Sequence, residues 1–427
     1  MLSTSPPDTS ATVATELPVD AFSWVLALFG TAVGAGILFL PIQVGQSGFW
    51  VLLLVSLLIY PTIYLGHSLY ALIPSRVVDG ADFFAAVGRW LPRWGAVLLH
   101  LLFISWLLIL LIAYSISLTN DLGDFLSNQQ WLAITMPHRI WLSFCILTTL
   151  MLLVRFARPM LIRILGGLSL LLIMLLCLVS VALVPHWSGS IACDAMVVPT
   201  PFILLKQFLL LFPLLTLSFM FFPTLSSLVR DLRCRIPDPL RRQTRLNRII
   251  RAATLALMLF LLLFVSSFML TISKANFSAA AHENISALAL LGNLYTGTWL
   301  GELGPAISIV ALLTSFLGIF IGYRESLLSL VSCRQRADQG DTTVARYENL
   351  LHGLTFIILW PLAIANVPVM AILGDLVAPL GAIFLLIVPA GVVLYIVDFR
   401  ADRGPAARFV LLSGVLVLVA YFVGTAL

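Results

Sequence analysis

Charged side chains are scarce in this sequence. Only 10% of its 427 residues are Asp, Glu, Lys or Arg, whereas 61% are hydrophobic. Soluble domains carry about 25% charged residues, so the composition argues against an ordinary soluble protein. Apolar runs of about 20 residues, each long enough to cross the hydrocarbon of a bilayer as a helix, recur along nearly the whole chain. We therefore predict an all-α membrane protein whose partner is the lipid bilayer.

Several other signatures are missing. The five cysteines show neither paired nor metal-ligand spacing, which argues against a disulfide or zinc framework. No apolar run carries paired histidines and carboxylates, a serine beside a base, or a phosphate-binding loop, so we expect neither an enzyme nor a bound cofactor. The basic residues occupy short loops between apolar runs, which predicts no nucleic-acid partner. Nothing in the sequence specifies an oligomeric state.

Residues 1–20 contain no Lys or Arg and lack the basic start and cleavage site of a signal peptide. We expect them to form a disordered cytoplasmic tail, with residues 21–427 forming a single transporter domain. The apolar runs between charged or turn-rich breaks predict eleven transmembrane helices, at 22–41, 49–73, 95–118, 140–155, 162–184, 202–229, 250–273, 304–332, 350–367, 371–397 and 407–426.

The positive-inside rule predicts the orientation of these helices. With a cytoplasmic N-terminus, the inner loops collect all but four of the 24 basic residues, the exceptions being Arg139, Lys206, Lys274 and Arg324. Cytoplasmic loops are enriched in Lys and Arg. We therefore predict a multi-pass protein of a bacterial inner membrane with its N-terminus in the cytoplasm and its C-terminus in the periplasm.

The first predicted helix contains helix-breaking residues. Gly30, Gly34, Gly36 and Pro41 fall within twelve residues of an otherwise apolar run. Glycine lowers helix stability and lets backbone N–H groups face a ligand. Close packing of helices through small residues is the alternative explanation, and the two are compatible.

The sixth predicted helix is interrupted in a similar way, by Pro213 and Pro223. Irregular backbone at membrane depth is tolerated where it lines a cavity or is buried in protein. Two sets of five spans, 22–185 and 202–397, would each begin with a broken helix, which is typical of two inverted repeats; the span at 407–426 would be an extra helix. Half-helix N-termini favour an anionic group, so the pattern favours a small acid or zwitterion as substrate.

Three motifs carry a resemblance to a known family: "GTAVGAGILFLPI" at 30–42, "SFMFFP" at 218–223 and "SFLGIFIGYRES" at 315–326. With its eleven predicted spans, the chain resembles the hydroxy and aromatic amino-acid permeases, particularly their serine/threonine branch. This family belongs to the amino acid-polyamine-organocation superfamily, which shares the fold of the bacterial leucine transporter. The resemblance implies a leucine-transporter-like 5+5 inverted repeat and amino-acid symport by alternating access.

The resemblance also implies roles for individual residues. The backbone of Gly34, Ala35 and Gly36 would bind the substrate carboxylate, with Ser218 and Phe219 across the pocket and Phe219 or an aromatic neighbour as a gate. Thr31 and Met220 complete the predicted substrate site.

One departure concerns the broken sixth helix, where Met220, Phe221 and Phe222 replace a polar Asn-His-Ser run of the serine/threonine branch. Aromatic and thioether side chains offer apolar contact area in place of hydrogen bonds. This departure leaves two alternatives for the substrate, a serine- or threonine-like amino acid and a larger apolar or aromatic one. Alternatively, these three residues face lipid or the protein interior and do not contact the substrate.

Ionisable residues within the membrane are functional candidates because they are costly to bury. Arg324 and Glu325 are predicted coupling or gating residues, with an ion-paired mouth of the bundle as the alternative. Thr314 and Ser315 supply hydroxyls for a coupling cation, but no carboxylate accompanies them, so we expect a proton as coupling ion and consider sodium less suitable. His67 is either a proton relay or a neutral core residue. A transporter-like sensor or a channel is the alternative to a symporter.

Overall fold

The computed structural model describes residues 21–77, 83–133, 135–335 and 341–426, and no strand occurs among them. The predicted all-α membrane architecture is confirmed. Nine helices of this described part are long and apolar enough to cross a membrane, and Ala21–Ala32 with Gly36–Ser47, which are bent by 62° at their break, make a tenth if they are counted as one span. The predicted tail at residues 1–20 lies outside the described residues.

The count of eleven spans is not confirmed. Among the described residues, the apolar stretch that corresponds to the fifth predicted span is Leu170–His186. The proposed repeats at 22–185 and 202–397 and the extra helix at 407–426 stay a prediction.

We number sixteen helices in chain order. They are α1 (Ala21–Ala32), α2 (Ala35–Ser47), α3 (Phe49–Arg76), α4 (Phe83–Val87), α5 (Arg93–Asn128), α6 (Met136–Ala182), α7 (Gly189–Ala195), α8 (Pro201–Ser218), α9 (Phe222–Arg235), α10 (Pro239–Thr271), α11 (Lys274–Glu283), α12 (Ala287–Leu294), α13 (Trp299–Gln335), α14 (Asp341–Ala365), α15 (Val369–Tyr395, with π-helical turns at Ile372–Val377 and Ile383–Ile387) and α16 (Pro405–Ala426).

Local sequence explains where several helices begin. Ser273 and Ser286 accept hydrogen bonds from backbone N–H groups in the first turns of α11 and α12, as N-cap residues do. Pro201 and Pro239 occupy the first positions of α8 and α10, where a missing N–H costs nothing. Gly48 connects α2 to α3 with a φ of 97°, a conformation that favours glycine.

The two sides of the bundle differ in chemistry. On one side, Arg76 pairs with Asp402 at 2.7 Å, and Arg233 hydrogen-bonds the carbonyl of Val77. We call this the basic side. On the opposite side, the asparagine side, Asn120 donates to the Asn284 carbonyl at 2.7 Å and to Asn366 Oδ1 at 2.9 Å. Loops that were predicted to be cytoplasmic therefore lie together on the basic side.

The helical residues of α6 comprise the fourth predicted span, at Met136–Phe156, and most of the fifth, at Leu170–His186, and these two stretches run in opposite directions. Near one end of α6, Arg139 donates to Asn120 at 2.6 Å. Beyond the other end, the Leu183 carbonyl accepts a hydrogen bond from Thr271, and both ends lie on the asparagine side.

The third span extends ten residues beyond its predicted end, because α5 continues to Asn128. The polar residues that suggested a loop are hydrogen-bonded within the protein. Asn120 bonds to Asn284, and Asp121, which is fully buried, accepts hydrogen bonds from Ser286 and Ser308. Two carboxylates, Asp121 and Asp124, thereby belong to a membrane helix.

Candidate functional site

The first span is interrupted between α1 and α2, as predicted. Gly34 adopts an extended conformation there and precedes the first turn of α2. The first N–H groups of a helix have no intrahelical acceptor and carry the positive end of the helix dipole. The backbone at Gly34, Ala35 and Gly36 is therefore available to bind an anionic group, while α1 presents the carbonyls at its C-terminal end to the same region.

The sixth span is interrupted between α8 and α9, where the backbone of Phe219–Phe221 is not helical. His67 on α3 stabilises this break. The Phe221 N–H donates to His67 Nε2 at 3.1 Å, and His67 Nδ1 lies 2.8 Å from the Ile63 carbonyl. Because Nε2 accepts a hydrogen bond, Nδ1 carries the ring hydrogen and donates a hydrogen bond to the Ile63 carbonyl, so the imidazole is neutral. His67 is thus a buried structural residue.

The two breaks meet in the centre of the bundle. Thr31 and Thr224 share a hydrogen bond of 2.8 Å between their hydroxyls. A Cβ atom at Gly36 would lie 3.2 Å from Ser218 Oγ, and one at Gly34 would lie 2.5 Å from the hydroxyl of Tyr114. A side chain at Gly34 would require the Tyr114 hydroxyl to move.

A cavity of about 660 Å³ extends from this junction. It reaches Ser23 at the start of α1, and Trp24 beside it donates to Asp231 of α9 on the basic side. Toward the asparagine side, Ile37–Leu40 and Leu214 and Leu215 are buried, which closes that end. Within the part of the chain that the structure describes, the cavity therefore extends toward the basic side, and Thr31 is exposed within it.

The chemistry of the cavity wall is neutral. Its hydroxyls come from Ser23, Thr31, Tyr114, Thr224, Thr314 and Ser315, and no charged side chain occurs among the described residues that line it. A ligand with charged ends would have to be neutralised by backbone groups at the helix breaks. The arrangement fits a zwitterion with no net charge.

The comparison with known proteins agrees with this geometry. Residues 20–426 match the tryptophan/tyrosine permease family. The chain belongs to this family. Its membership confirms the predicted resemblance, and the predicted function as an amino-acid transporter, in place of an enzyme, is confirmed at the level of the family.

Individual relatives of this permease are similar over most of their length. It is 27% identical over 405 residues to the serine transporter SdaC of Escherichia coli strain K12, covering 93% of each chain. It is 26% identical over 417 residues to the threonine/serine transporter TdcC of Yersinia enterocolitica, again covering 93% of each chain. It is 29% identical over 312 residues to the inner membrane transport protein YqeG of Escherichia coli strain K12, covering 72% of this chain and 75% of YqeG. The permease is accordingly a multi-pass inner-membrane protein.

The cavity brings together part of the predicted substrate site. Six predicted residues line the cavity. They are the substrate-site residues Thr31, Gly34, Gly36 and Met220 and the coupling candidates Thr314 and Ser315. Ala35 contributes backbone at the start of α2, and its side chain lies outside the described residues. Ser218 and Phe219 are buried beside the cavity without lining it. Ser218 donates to the Leu214 carbonyl at 3.0 Å, so its hydroxyl already has a partner.

The apolar replacement in the sixth span affects the cavity of the permease at one position. Phe221 stacks on His67 with 3.7 Å between ring centroids, and Phe222 packs among Trp106 and Phe384. Only Met220 lines the cavity, next to Trp106. Trp106 is held by a hydrogen bond to the Val377 carbonyl at 2.9 Å, and sequence reasoning did not identify it.

The predicted coupling pair on α13 lies away from the cavity. Arg324 hydrogen-bonds Glu348 of α14, and Glu348 also lies 3.9 Å from Arg155 of α6. Glu325 is exposed. Neither Arg324 nor Glu325 lines the cavity, so the geometry agrees with the ion-paired mouth that was the alternative to a gating role.

The carboxylate that sequence reasoning missed is Asp121. The predicted third span ended at residue 118, so Asp121 was placed in a loop. Its burial depends on Ser286 and Ser308, which follow it by 165 and 187 residues. One sequence feature could have identified Asp121. It follows Tyr114 by seven residues, so the two lie on one face if the helix continues.

Proposed function

We propose that this permease is a proton-coupled symporter that carries a neutral amino acid by alternating access. The observation that supports the proposal most directly is the meeting of two broken helices at an uncharged cavity. Discontinuous helices that supply their termini to a midplane substrate are typical of secondary transporters. The positive-inside rule assigns the basic side to the cytoplasm, the N-terminus to the cytoplasm and the C-terminus to the periplasm.

The ends of the two half-helices suit the two charges of an amino acid. The substrate carboxylate would accept hydrogen bonds from the N–H groups of Gly34, Ala35 and Gly36, where the α2 dipole is positive. The ammonium group would lie at the carbonyls that end α1. Tyr114, whose hydroxyl touches Gly34, would orient the carboxylate. An amino acid bound in this way needs no charged protein side chain to balance its two ends. This agrees with the uncharged wall of the cavity.

Serine is the first candidate substrate. Relatives that align over 93% of this chain are named as serine or threonine transporters, and the hydroxyls of Thr31 and Thr224 face the cavity where a hydroxyl side chain would bind. A larger apolar or aromatic amino acid is the second candidate. Met220 and Trp106 favour it, because they present apolar area to the substrate.

A proton is the proposed coupling ion. Sodium needs several oxygen ligands, usually including carboxylates. The described cavity wall supplies hydroxyls without a carboxylate. In the proposed cycle, the cavity that is open toward the basic side represents the cytoplasm-facing state, and movement of the broken helices would open the asparagine side.

The test is uptake of labelled serine, threonine, tryptophan, tyrosine and leucine into proteoliposomes under an imposed proton gradient, a sodium gradient or neither. Accumulation of one amino acid with the proton gradient alone is the expected result. Flux that only follows the concentration gradient would indicate a channel, and binding without flux would indicate a sensor.

The two candidate substrates are separated by variants of Met220. We expect Met220→Asn to raise the preference for serine over leucine, because an amide can hydrogen-bond a substrate hydroxyl, and Met220→Leu to leave the preference unchanged. Equal preferences in both variants would show that Met220 does not contact the substrate side chain.

A further inference from the structure

Asp121 occupies a fully buried site outside the substrate cavity. One carboxyl oxygen accepts a hydrogen bond from the backbone N–H of Ser286 at 3.0 Å, and the other lies 2.5 Å from the Ser308 hydroxyl. The hydroxyls of Ser286 and Ser308 are 2.7 Å apart. These two serines supply every hydrogen bond to the carboxyl group within the described residues.

Among the residues that the structure describes, no positively charged side chain is paired with this carboxyl group. On α5 the nearest titratable residue is Asp124, which also interacts with Glu283 at the end of α11. From α6, Arg139 directs its guanidinium to Asn120 and to the carbonyls of Ala363 and Ile364. The titratable residue on the nearby part of α13 is Glu302, that of the α15 turn packed on α5 is the partly buried Asp375, and α2 and α12 contain none. A buried carboxylate without a counter-charge is costly at membrane depth, and binding a proton removes that cost.

The two hydroxyls allow the site to hold the carboxyl group with or without its proton. Serine hydroxyls rotate and both donate and accept. When the carboxyl group is ionised, Ser286 donates to Ser308, and Ser308 donates to Asp121. When it is protonated, its O–H donates to Ser308, and the Ser308 hydroxyl turns toward Ser286. No other bond is formed or broken, and the proton comes from water.

The position of Asp121 connects this site to the substrate cavity. Tyr114 lies seven residues before Asp121 on α5, and Ser315 lies seven residues after Ser308 on α13. Seven residues are two helical turns, or about 10 Å. Tyr114 and Ser315 both face Gly34, with their hydroxyl oxygens 2.5 and 3.5 Å from the position of a Cβ atom there. The same two helices therefore meet once at Asp121 and once at the substrate site.

We propose that Asp121 binds and releases the coupling proton, and that its protonation changes how α5 and α13 pack beside the substrate. This inference rests on the proposed proton symport. Protons reach Asp121 from the asparagine side, where Asp124 is partly buried and Glu283 is exposed. Asp121 is a positioning residue for the substrate, because it acts through Tyr114 and Ser315.

The experiment compares the wild-type protein with Asp121→Asn in proteoliposomes that contain a pH-sensitive dye. L-Serine and L-tryptophan are the probes. Asparagine imitates the protonated carboxyl group, so we expect Asp121→Asn to lose proton influx upon addition of substrate and to lose proton-driven accumulation. Exchange of external labelled substrate for internal unlabelled substrate should persist, because it needs no net proton movement. The matched control is Asp194→Asn, which removes an exposed carboxylate of α7 and should behave as wild type.

A second variant keeps the carboxyl group. Ser308→Ala removes one hydrogen-bond donor to the carboxylate, so we expect coupled uptake to persist with its half-maximal pH moved to higher pH. If Asp121→Asn does not fold, this shift decides the question, and an unchanged midpoint overturns the inference. Retained proton influx in a folded Asp121→Asn protein also overturns it. Absence of substrate-driven proton influx in the wild-type protein would instead refute proton symport itself.

Discussion

At the scale of single residues, Gly34 shows how tightly the substrate site is built. A methyl group at this position would lie 2.5 Å from the Tyr114 hydroxyl, whereas the next tyrosine atom is 3.6 Å away. We predict that Gly34→Ala destabilises the protein by about 1–3 kcal/mol through overpacking. The Gly34→Ala/Tyr114→Phe double variant should recover most of the melting temperature, because the clashing oxygen is gone. Equal melting temperatures for the single and double variants would contradict this explanation.

His67 has a structural role that its sequence position does not reveal. It accepts the Phe221 N–H at the break of the sixth span, so His67→Ala leaves this buried N–H without a partner. We expect a loss of about 1–3 kcal/mol in stability and reduced uptake at every pH, with no change in the shape of the pH profile. His282→Ala, at an exposed position of α11, is the control. A changed pH profile for His67→Ala would support a proton relay.

At the scale of helices, the ion pair between Arg324 and Glu348 joins α13 to α14. Both side chains are largely buried, with 14% and 12% of their surface exposed. Glu348→Ala should lower stability by about 3 kcal/mol, because it leaves Arg324 without its partner, while the pH dependence of uptake stays unchanged. Arg241→Gln, which breaks an exposed pair with Asp238, should leave the melting temperature near that of wild type. Loss of proton coupling in Glu348→Ala would restore the gating role first predicted for Arg324.

Helix features that depend on residues close in sequence were predictable, and features that depend on distant partners were not. The breaks in the first and sixth spans were predictable, because Gly34, Gly36 and Pro223 act on their own backbone. The end of α5 was not, since Asn120 and Asp121 are hydrogen-bonded to Asn284 and Ser286, more than 160 residues away. The roles of Phe221 and Phe222 were equally hidden, because the hydropathy of a residue does not show whether it faces a cavity or the core.

At the scale of the whole molecule, the number of crossings determines where the termini lie. Eleven crossings place the C-terminus opposite the N-terminus, whereas ten place both on one side. The α16 helix begins next to Asp402, which pairs with Arg76 on the basic side, and we predict that it ends in the periplasm. A fusion of alkaline phosphatase after residue 427 should be active, and a fusion after Pro237, between α9 and α10, should be inactive. Ten crossings would be favoured if alkaline phosphatase fused after residue 427 is inactive and a fluorescent protein fused at the same position is fluorescent.

The central claim is that the cavity at the two helix breaks holds the transported amino acid. Gly318 lines this cavity, and a Cβ atom there meets nothing within 4 Å, so Gly318→Cys is a tolerated reporter in a protein whose five native cysteines have been replaced. Gly353→Cys is the matched control, because Gly353 is equally unhindered but lies outside the cavity.

The measurement is the labelling rate of Gly318→Cys by a membrane-impermeant maleimide, in inside-out and right-side-out vesicles, with and without the transported amino acid. We predict rapid labelling from the cytoplasmic side that the amino acid slows and that an amino acid which is not transported leaves unchanged. The Gly353→Cys control should show no such protection. Labelling of Gly318→Cys that is indifferent to the transported amino acid would contradict the assignment of this cavity as the substrate site.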